Sequence, residues 1–314
     1  MDYCCSGLTV YFFQKSKKRS DFIHHNSINT SFKASDSWVI LNPIEQSIKR
    51  KIESVGVPLK DWDISIYRGV LTGCNEAFII SDEKRKEILD NCKNDEEKKR
   101  TAELIRPILR GRDIKRYEYN FDDLYLINTH NGIKEKNIPR IDIKEYPEIK
   151  KHLDEYWDKI GKRVDKGDTP YNLRNCAYLD DFSMQKVMYN DISKQLSFCL
   201  VPKDIFCVNT VYFIKNNCHL KYLLAYLNTK IVNWYYRTIS VQLGEKAVRM
   251  FSIYMMKLPA PVVSKDVEKQ ISELVDKRIS SAEFKCNQFE QEIESYFYKA
   301  FDFTEEEIDH IESL

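Results

Sequence analysis

After Leu258-Pro259-Ala260-Pro261, apolar side chains return every three or four residues, at Val267, Ile271, Leu274, Ile279, Ala282, Cys286, Phe289, Ile293 and Phe297. That period is helical, so it predicts one long amphipathic helix whose stripe must be covered by the body of the chain or by a partner helix. Phe303-Thr304-Glu305-Glu306-Glu307-Ile308 then opens a short final helix. The same segment is acidic. Residues 264–314 hold six basic and fourteen acidic side chains, whereas the rest of the chain holds 43 basic and 34 acidic ones. The net charge of +1 therefore hides a moderately basic body behind an acidic tail.

Upstream, helical and extended patterns alternate irregularly. The apolar run Trp38-Val39-Ile40-Leu41 leads to Asn42-Pro43-Ile44-Glu45, which offers an N-cap side chain, a proline for the first helical position and a glutamate able to reach back. Ile44, Ile48, Ile52 and Val55 keep helical spacing up to Gly56. Ile64-Ser65-Ile66-Tyr67 and Ala77-Phe78-Ile79-Ile80 read as strands around a glycine-containing loop. Ser81 and Asn94 are expected to cap charged helices, and Pro107 must end or kink the second. Leu124-Tyr125-Leu126-Ile127, Lys186-Val187-Met188-Tyr189 and residues 205–214 read as extended. Tyr146-Pro147 opens a helix with Ile149, Leu153, Trp157 and Ile160 on one side. Leu220, Leu223, Leu224, Leu227, Ile231 and Trp234 mark one long buried helix. With no βαβ rhythm and no internal repeat, the fold class is α+β, an irregular mixed domain with a helical C-terminal segment. The expected divisions are an extension or linker over 1–35 (with a strand from Leu8 to Phe13), a main domain over 36–261 and a helical segment over 262–314.

Several classes are excluded. At 314 residues, 43% hydrophobic and with only 9 Gly and 9 Pro, the chain has material for two cored domains and little reason for disorder. No apolar run approaches the roughly 20 residues of a membrane-spanning helix. The 9 cysteines form no Cys-x-x-Cys pair, and the 6 histidines do not complete a zinc set, so no metal site is expected. Cys218-His219 reads as structural, and the thiols read as the reduced thiols of a cytoplasmic protein.

Catalytic signatures are absent. No Gly-x-Gly occurs for a dinucleotide or methyltransferase cofactor loop, no Pro-Pro for an Asn-Pro-Pro-Tyr loop, and no Gly-x-x-x-x-Gly-Lys-Ser/Thr for nucleotide phosphates. Glu96-Glu97-Lys98 and Glu148-Ile149-Lys150 imitate a metal-nuclease spacing, at the frequency a chain this charged produces by chance. No catalytic residue, metal or cofactor is therefore assigned to this chain.

What is present is positive charge. Residues 98–116 carry eight basic side chains against Glu103 and Asp113. Arg110-Gly111-Arg112 places two guanidinium forks beside a residue that lets backbone approach a ligand, and such forks suit phosphate or the O6/N7 edge of guanine. The competing reading is a solvated face with internal ion pairs, Arg112 with Asp113 among them. Thr72-Gly73-Cys74-Asn75 is similarly open: its amides suit phosphate, and its composition equally suits an ordinary turn.

Two strings sharpen this. Arg68-Gly69-Val70-Leu71-Thr72-Gly73-Cys74-Asn75-Glu76-Ala77-Phe78 contains Gly-(Ile/Val)-x-Thr-Gly-x-Asn-x-Ala-Phe, and Pro107-Ile108-Leu109-Arg110-Gly111-Arg112-Asp113-Ile114 contains Pro-x-Leu-Arg-Gly-(Arg/Lys)-Asp-Ile. Thr210-Val211-Tyr212, Tyr222-Leu223-Leu224-Ala225-Tyr226-Leu227-Asn228-Thr229 and the Leu-Pro-Ala-Pro exit follow in order. Over roughly residues 36–312 the chain resembles the TaqI-type C-terminal specificity domain of type II and type IIG restriction–modification enzymes. The resemblance implies a module that grips duplex DNA and reads bases beside a target adenine. Methylation at N6 from S-adenosylmethionine, and cleavage where a nuclease is present, would belong to partner domains or subunits. It implies phosphate or fold-support roles for Thr72, Asn75, Arg110, Arg112 and Lys115. Base readers are then expected in variable loops within 128–145 and 162–176, with Arg140, Lys162, Arg163 and Arg174 as candidates, and Lys186 as a further candidate outside them. The alternative reading is a non-catalytic assembly subunit that binds a partner through the helix over 264–300.

Overall fold

The computed structural model describes residues 41–244 and 247–314, together with the strands Leu8–Tyr11 and Ser27–Thr30, which pair antiparallel. The first of these falls within the strand expected near the N-terminus. The remainder of the 1–35 extension and the run Trp38-Val39-Ile40 lie outside the described residues.

Helix α1 (Pro43–Val55) starts on the expected capping box: Asn42 Oδ1 accepts from the Glu45 amide at 2.9 Å, and Glu45 accepts from the Asn42 amide at 2.7 Å. Gly56 ends it without a left-handed turn, its φ being −78°. A glycine is needed there because a Cβ would lie 2.5 Å from Cβ of Pro259, where Gly56–Pro58 and Pro259–Pro261 pair as antiparallel strands.

The central strands are β1 (Ser65–Arg68), β2 (Ile79–Ser81), β3 (Ile105–Leu109), β4 (Leu124–Ile127), β5 (Lys186–Asn190), β6 (Phe198–Val201), β7 (Phe206–Cys207) and β8 (Val211–Lys215). They form two four-stranded sheets, ordered β6-β5-β8-β1 and β7-β3-β4-β2, antiparallel except for the β7–β3 pair. The Gly69 and Val70 amides donate across the seam to the carbonyls of Val211 and Cys207, both at 2.8 Å.

The longer helices after α1 are α2 (Asp82–Asp90), α3 (Asp95–Leu104), α4 (Pro147–Asp154), α5 (Leu220–Leu227), α6 (Lys230–Ile239), α7 (Lys265–Ser280), α8 (Glu283–Ala300) and α9 (Glu305–Glu312). Successive side chains of a strand face opposite sides, and the first sheet uses both faces. Val187, Tyr189, Phe198 and Ile214 enter a core with α1 and α5–α9, including Ile52, Tyr226, Phe297 and Phe301. Met188, Cys199, Val211 and Phe213 enter a second core with Phe78, Leu109, Leu126, Ile149 and Phe182. This sheet is therefore a wall between a helical core and a loop-bearing core.

Three sequence expectations are corrected. The stripe from Val267 to Phe297 is an antiparallel pair, α7 and α8, because Ser281 and Ala282 are both extended (ψ 153° and 150°). The side chains Ile271, Leu274, Val275, Ile293 and Phe297 all point into the chain's own helical core. The long helix over 220–234 breaks at Asn228-Thr229. Thr229 caps α6 through the Val232 amide at 3.2 Å, while Asn228 bonds both the amide and the carbonyl of Phe198, at 3.1 and 2.9 Å. Ala77-Phe78 is the end of a helical turn, Asn75–Phe78, and the strand begins only at Ile79.

Candidate nucleic-acid interface

The Thr72-Gly73-Cys74-Asn75 loop is a tight turn closed on itself. Gly73 has φ +66°, a left-handed conformation that favours glycine. Thr72 is buried, its hydroxyl donating to Asn75 Oδ1 at 2.5 Å and accepting from the Cys74 amide at 3.2 Å. Asn75 is exposed. A Cβ on Gly73 would meet the Asp165 carbonyl at 3.0 Å and Arg163 Cδ at 3.3 Å. The turn thus seats the loop that follows α4.

Arg163 and Lys186, both candidates for base readout, are internal. Arg163 is only 7% exposed. Its guanidinium donates to the carbonyls of Thr72, Asp165 (2.7 Å), Pro170 (3.0 Å) and Asn172 (2.5 Å), and lies 4.4 Å over the Phe78 ring. Burial pulls its pKa down to about 10. Lys186 is fully buried, its amine donating to the carbonyls of Phe182 and Met184 at 2.8 Å, and burial pulls it down to about 8. Neither side chain reaches the surface, so both support the fold.

Arg163 does organise a surface. The two loops expected to carry base readers are laced together. Asn131 pairs with Asp168 through Nδ2 (3.1 Å) and Oδ1 (2.8 Å), Thr129 Oγ1 donates to the Tyr171 carbonyl (2.6 Å), and Asn172 Nδ2 donates to the Ile141 carbonyl (3.0 Å). Lys162 and Lys166 are exposed on this platform, and Val164 between them is 94% exposed. Arg140 lies 3.6 Å from Asp168 and Arg174 3.2 Å from Asp165, with all four side chains substantially exposed. Exposed pairs of this kind contribute about 0–1 kcal/mol, so a phosphate competes easily for either cation.

The basic string divides. Arg110 forms a two-pronged bond with Asp113 at 3.1 and 3.0 Å and also bonds Asp122; the hydrogen bond to Asp113 leads in holding its pKa up. Arg116 turns toward the helical core, to Glu290 at 2.6 Å and the Asn228 carbonyl at 2.7 Å. Arg278 meets the same Glu290 at 2.5 Å, and both arginines flank the buried Tyr117 ring. Arg112 and Lys115 stand exposed at this end of the string, Arg112 with its side chain 71% accessible, as do Lys98 and Lys99 at the other.

Sequence reasoning missed a groove of about 410 Å³ lined by Gly111, Arg112, Asn190, Asp191, Ile192 and Thr210. The available signal was a polar pair, Asn190-Asp191, ending an otherwise buried strand. Contacts connect this groove to the loop platform: Lys136 pairs with Asp180, Tyr178 donates to the Arg68 carbonyl at 3.0 Å, and Arg68 donates to the Asn209 carbonyl at 2.5 Å. Among the described residues no helix is long and apolar enough to cross a membrane.

The chain is a mixed α+β fold with a two-loop platform beside a groove rimmed by Arg112, and comparison with known proteins gives its relatives. Residues 106–260 match the model of the TaqI-like C-terminal specificity domain, and that segment belongs to this family. The fold is similar to part of the type IIL restriction–modification enzyme MmeI, whose structure is of a complex with DNA. The TM-score is 0.59 at 12% identity, covering 91% of this chain and 38% of that one. The type IIG restriction endonuclease BpuSI also matches, with TM-score 0.48 and 15% identity over 84% of this chain and 33% of that one. This chain thus spans well under half of either enzyme. No curated protein sequence matches it.

Proposed function

We propose that this chain is the DNA target-recognition module of a restriction–modification system. On this reading it grips duplex DNA, reads a short sequence and positions it for adenine N6 methylation, and for cleavage where a nuclease accompanies it. The catalytic partner domains or subunits supply that chemistry. The supporting observation is the joined pair of loops, rigidified by a buried arginine, raising Lys162, Lys166, Arg140 and Arg174 to solvent in a segment matching a specificity-domain family. Cations on a fixed platform neutralise phosphates and set register, while side chains between them meet base edges.

We assign S-adenosylmethionine to the catalytic partner. The strand-to-helix turns at Ser81 and at residues 216–219 contain no glycine to admit a nucleotide-like cofactor. The turn from Arg68 to Asn75, which holds Gly69 and Gly73, is closed on itself by the Thr72 hydroxyl. The assembly-subunit alternative has a weaker basis, because the apolar stripe of residues 264–300 is largely consumed within its own core. The test is binding of the full chain to a mixed duplex pool at several salt concentrations, with sequencing of what is retained. Steeply salt-dependent binding with one enriched motif is expected; no binding even at low salt would overturn the reading.

A further inference from the structure

We infer that the groove beside Gly111 holds the amino-bearing edge of an adenine or a cytosine, and that Asn190 and Asp191 are the residues that read it. This rests on the DNA-recognition reading above and names a base-reading site outside the two loops.

The groove is built for a hydrogen-bond donor. Asn190 Oδ1 and Asp191 Oδ1 are both buried and accept from no described residue. A buried acceptor without a partner is costly, and both residues line the groove, so a ligand that brings N–H groups rewards a rotation of either side chain that turns its oxygen into the groove. The backbone carrying them is fixed: Asn190 ends β5 opposite Val211, the Asp191 amide donates to the Thr210 carbonyl at 2.9 Å, and its carbonyl accepts from Met250 at 2.7 Å. Gly111 leaves the groove open, since a Cβ there would lie 2.9 Å from Asn190 Oδ1. That gives the glycine of the Arg-Gly-Arg-Asp string a reason independent of its backbone angle.

Base chemistry selects the occupant. In the major groove adenine presents its N6 amino group and cytosine its N4 amino group, whereas guanine presents O6 and N7 and thymine O4, all acceptors. Two acceptor oxygens therefore favour the first pair and repel the second. The Asn190 amide can in addition donate to adenine N7, the two-pronged match of a carboxamide to that base. Arg112 at the rim supplies a cation for the adjoining phosphate, and Ile192, 47% exposed, supplies an apolar wall.

The test uses the full chain and a randomised duplex pool, comparing wild type with Asn190→Ala and Asp191→Asn. Discrimination at one adenine- or cytosine-bearing pair should fall roughly ten- to hundredfold, with other preferences and the salt dependence unchanged. A second measurement keeps the protein wild type and removes the amino group from that base in the preferred duplex; the same loss is expected. Variants with the wild-type preference, variants weakened equally on every sequence, or an amino-deleted duplex bound as well as its parent would each overturn the assignment. Wild-type binding without any preference also overturns it while leaving DNA binding intact. A wild-type chain that binds no duplex fails the underlying reading itself.

Discussion

The two cores treat positive charge in opposite ways. Around the helical core, cations meet carboxylates of the C-terminal segment: Lys51 with Glu307 at 2.7 Å, Lys221 with Asp276 at 2.6 Å, Lys230 with Glu312, and Arg116 and Arg278 with Glu290. In the loop-bearing core, the hydrogen bonds of Arg163 and Lys186 go to neutral carbonyls. A carbonyl satisfies an N–H without cancelling its charge. The acidic tail therefore quenches basic residues on the helical side. The buried Arg163 has no carboxylate hydrogen-bonded to it, though burial lowers its pKa to about 10. It lies below the exposed Lys162 and below Arg140 and Arg174, whose own carboxylate pairs are exposed. A net charge of +1 is the average of two unlike regions, and an average of that kind says little about affinity for a polyanion.

The largest break in this comparison comes from Arg163→Ala. It removes donors from four carbonyls and the contact with Phe78, so unfolding free energy should drop by about 3–5 kcal/mol. Arg163→Lys should recover little, since a single ammonium cannot span the carbonyls of Thr72, Asp165, Pro170 and Asn172. Urea unfolding reads this directly, and a loss under about 1 kcal/mol would mean that the loops stand without their staple.

The helical side is probed through Glu294, which lies 3.8 Å from Arg116, accepts from the Lys230 amide at 2.7 Å, and is raised by burial from 4.5 to about 7. Its folded value is above its unfolded one. Between pH 4.5 and 7 the folded chain thus keeps a proton that the unfolded chain has released. The stability this carboxyl contributes is complete below pH 4.5 and lost as pH rises to about 7, a change of about 3 kcal/mol. Glu294→Gln should flatten that part of the profile relative to wild type, measured as urea midpoints across pH 5 to 8. Parallel profiles for the two proteins would show the carboxylate to be fully compensated by Arg116. Smaller again is Gly73→Ala, where a side chain forced to φ +66° beside Asp165 should cost about 1–2 kcal/mol. A neutral result would remove the turn from the support of the loop.

What the sequence disclosed follows from which forces are local. The caps at Asn42, Ser81, Asn94 and Thr304 were legible because each is settled within four residues. The breaks at Asn228 and Ser281 were not. In both, apolar spacing continues straight through, and only a distant partner decides the turn: the Phe198 backbone for Asn228 and the α7 face for α8. The candidate site divides likewise. That residues 128–145 and 162–176 carry exposed cations could be read from composition. That Arg163 alone among its neighbours points inward could not, because Thr72 lies 91 residues away and the carbonyls of Asp165, Pro170 and Asn172 surround the guanidinium only once the loop has folded round it. Asn190 and Asp191 escaped notice for the same reason, since the groove exists only where Gly111 and Thr210 meet them.

The smallest expected effects separate the loop side from the helical side most directly. Lys162→Ala and Arg174→Ala touch exposed side chains, so stability should change by no more than about 0.5 kcal/mol. Each phosphate contact removed should lower the slope of log affinity against log salt by about one, with binding weakened evenly across sequences. Lys221→Ala, an equally charged change whose partner Asp276 lies in the acidic tail, should leave that slope unchanged. Affinities at three salt concentrations for the three variants give the answer. Equal slope changes in all three would mean that the chain attracts DNA only by its overall charge, and that the division between a quenched helical side and an active loop side has no bearing on binding.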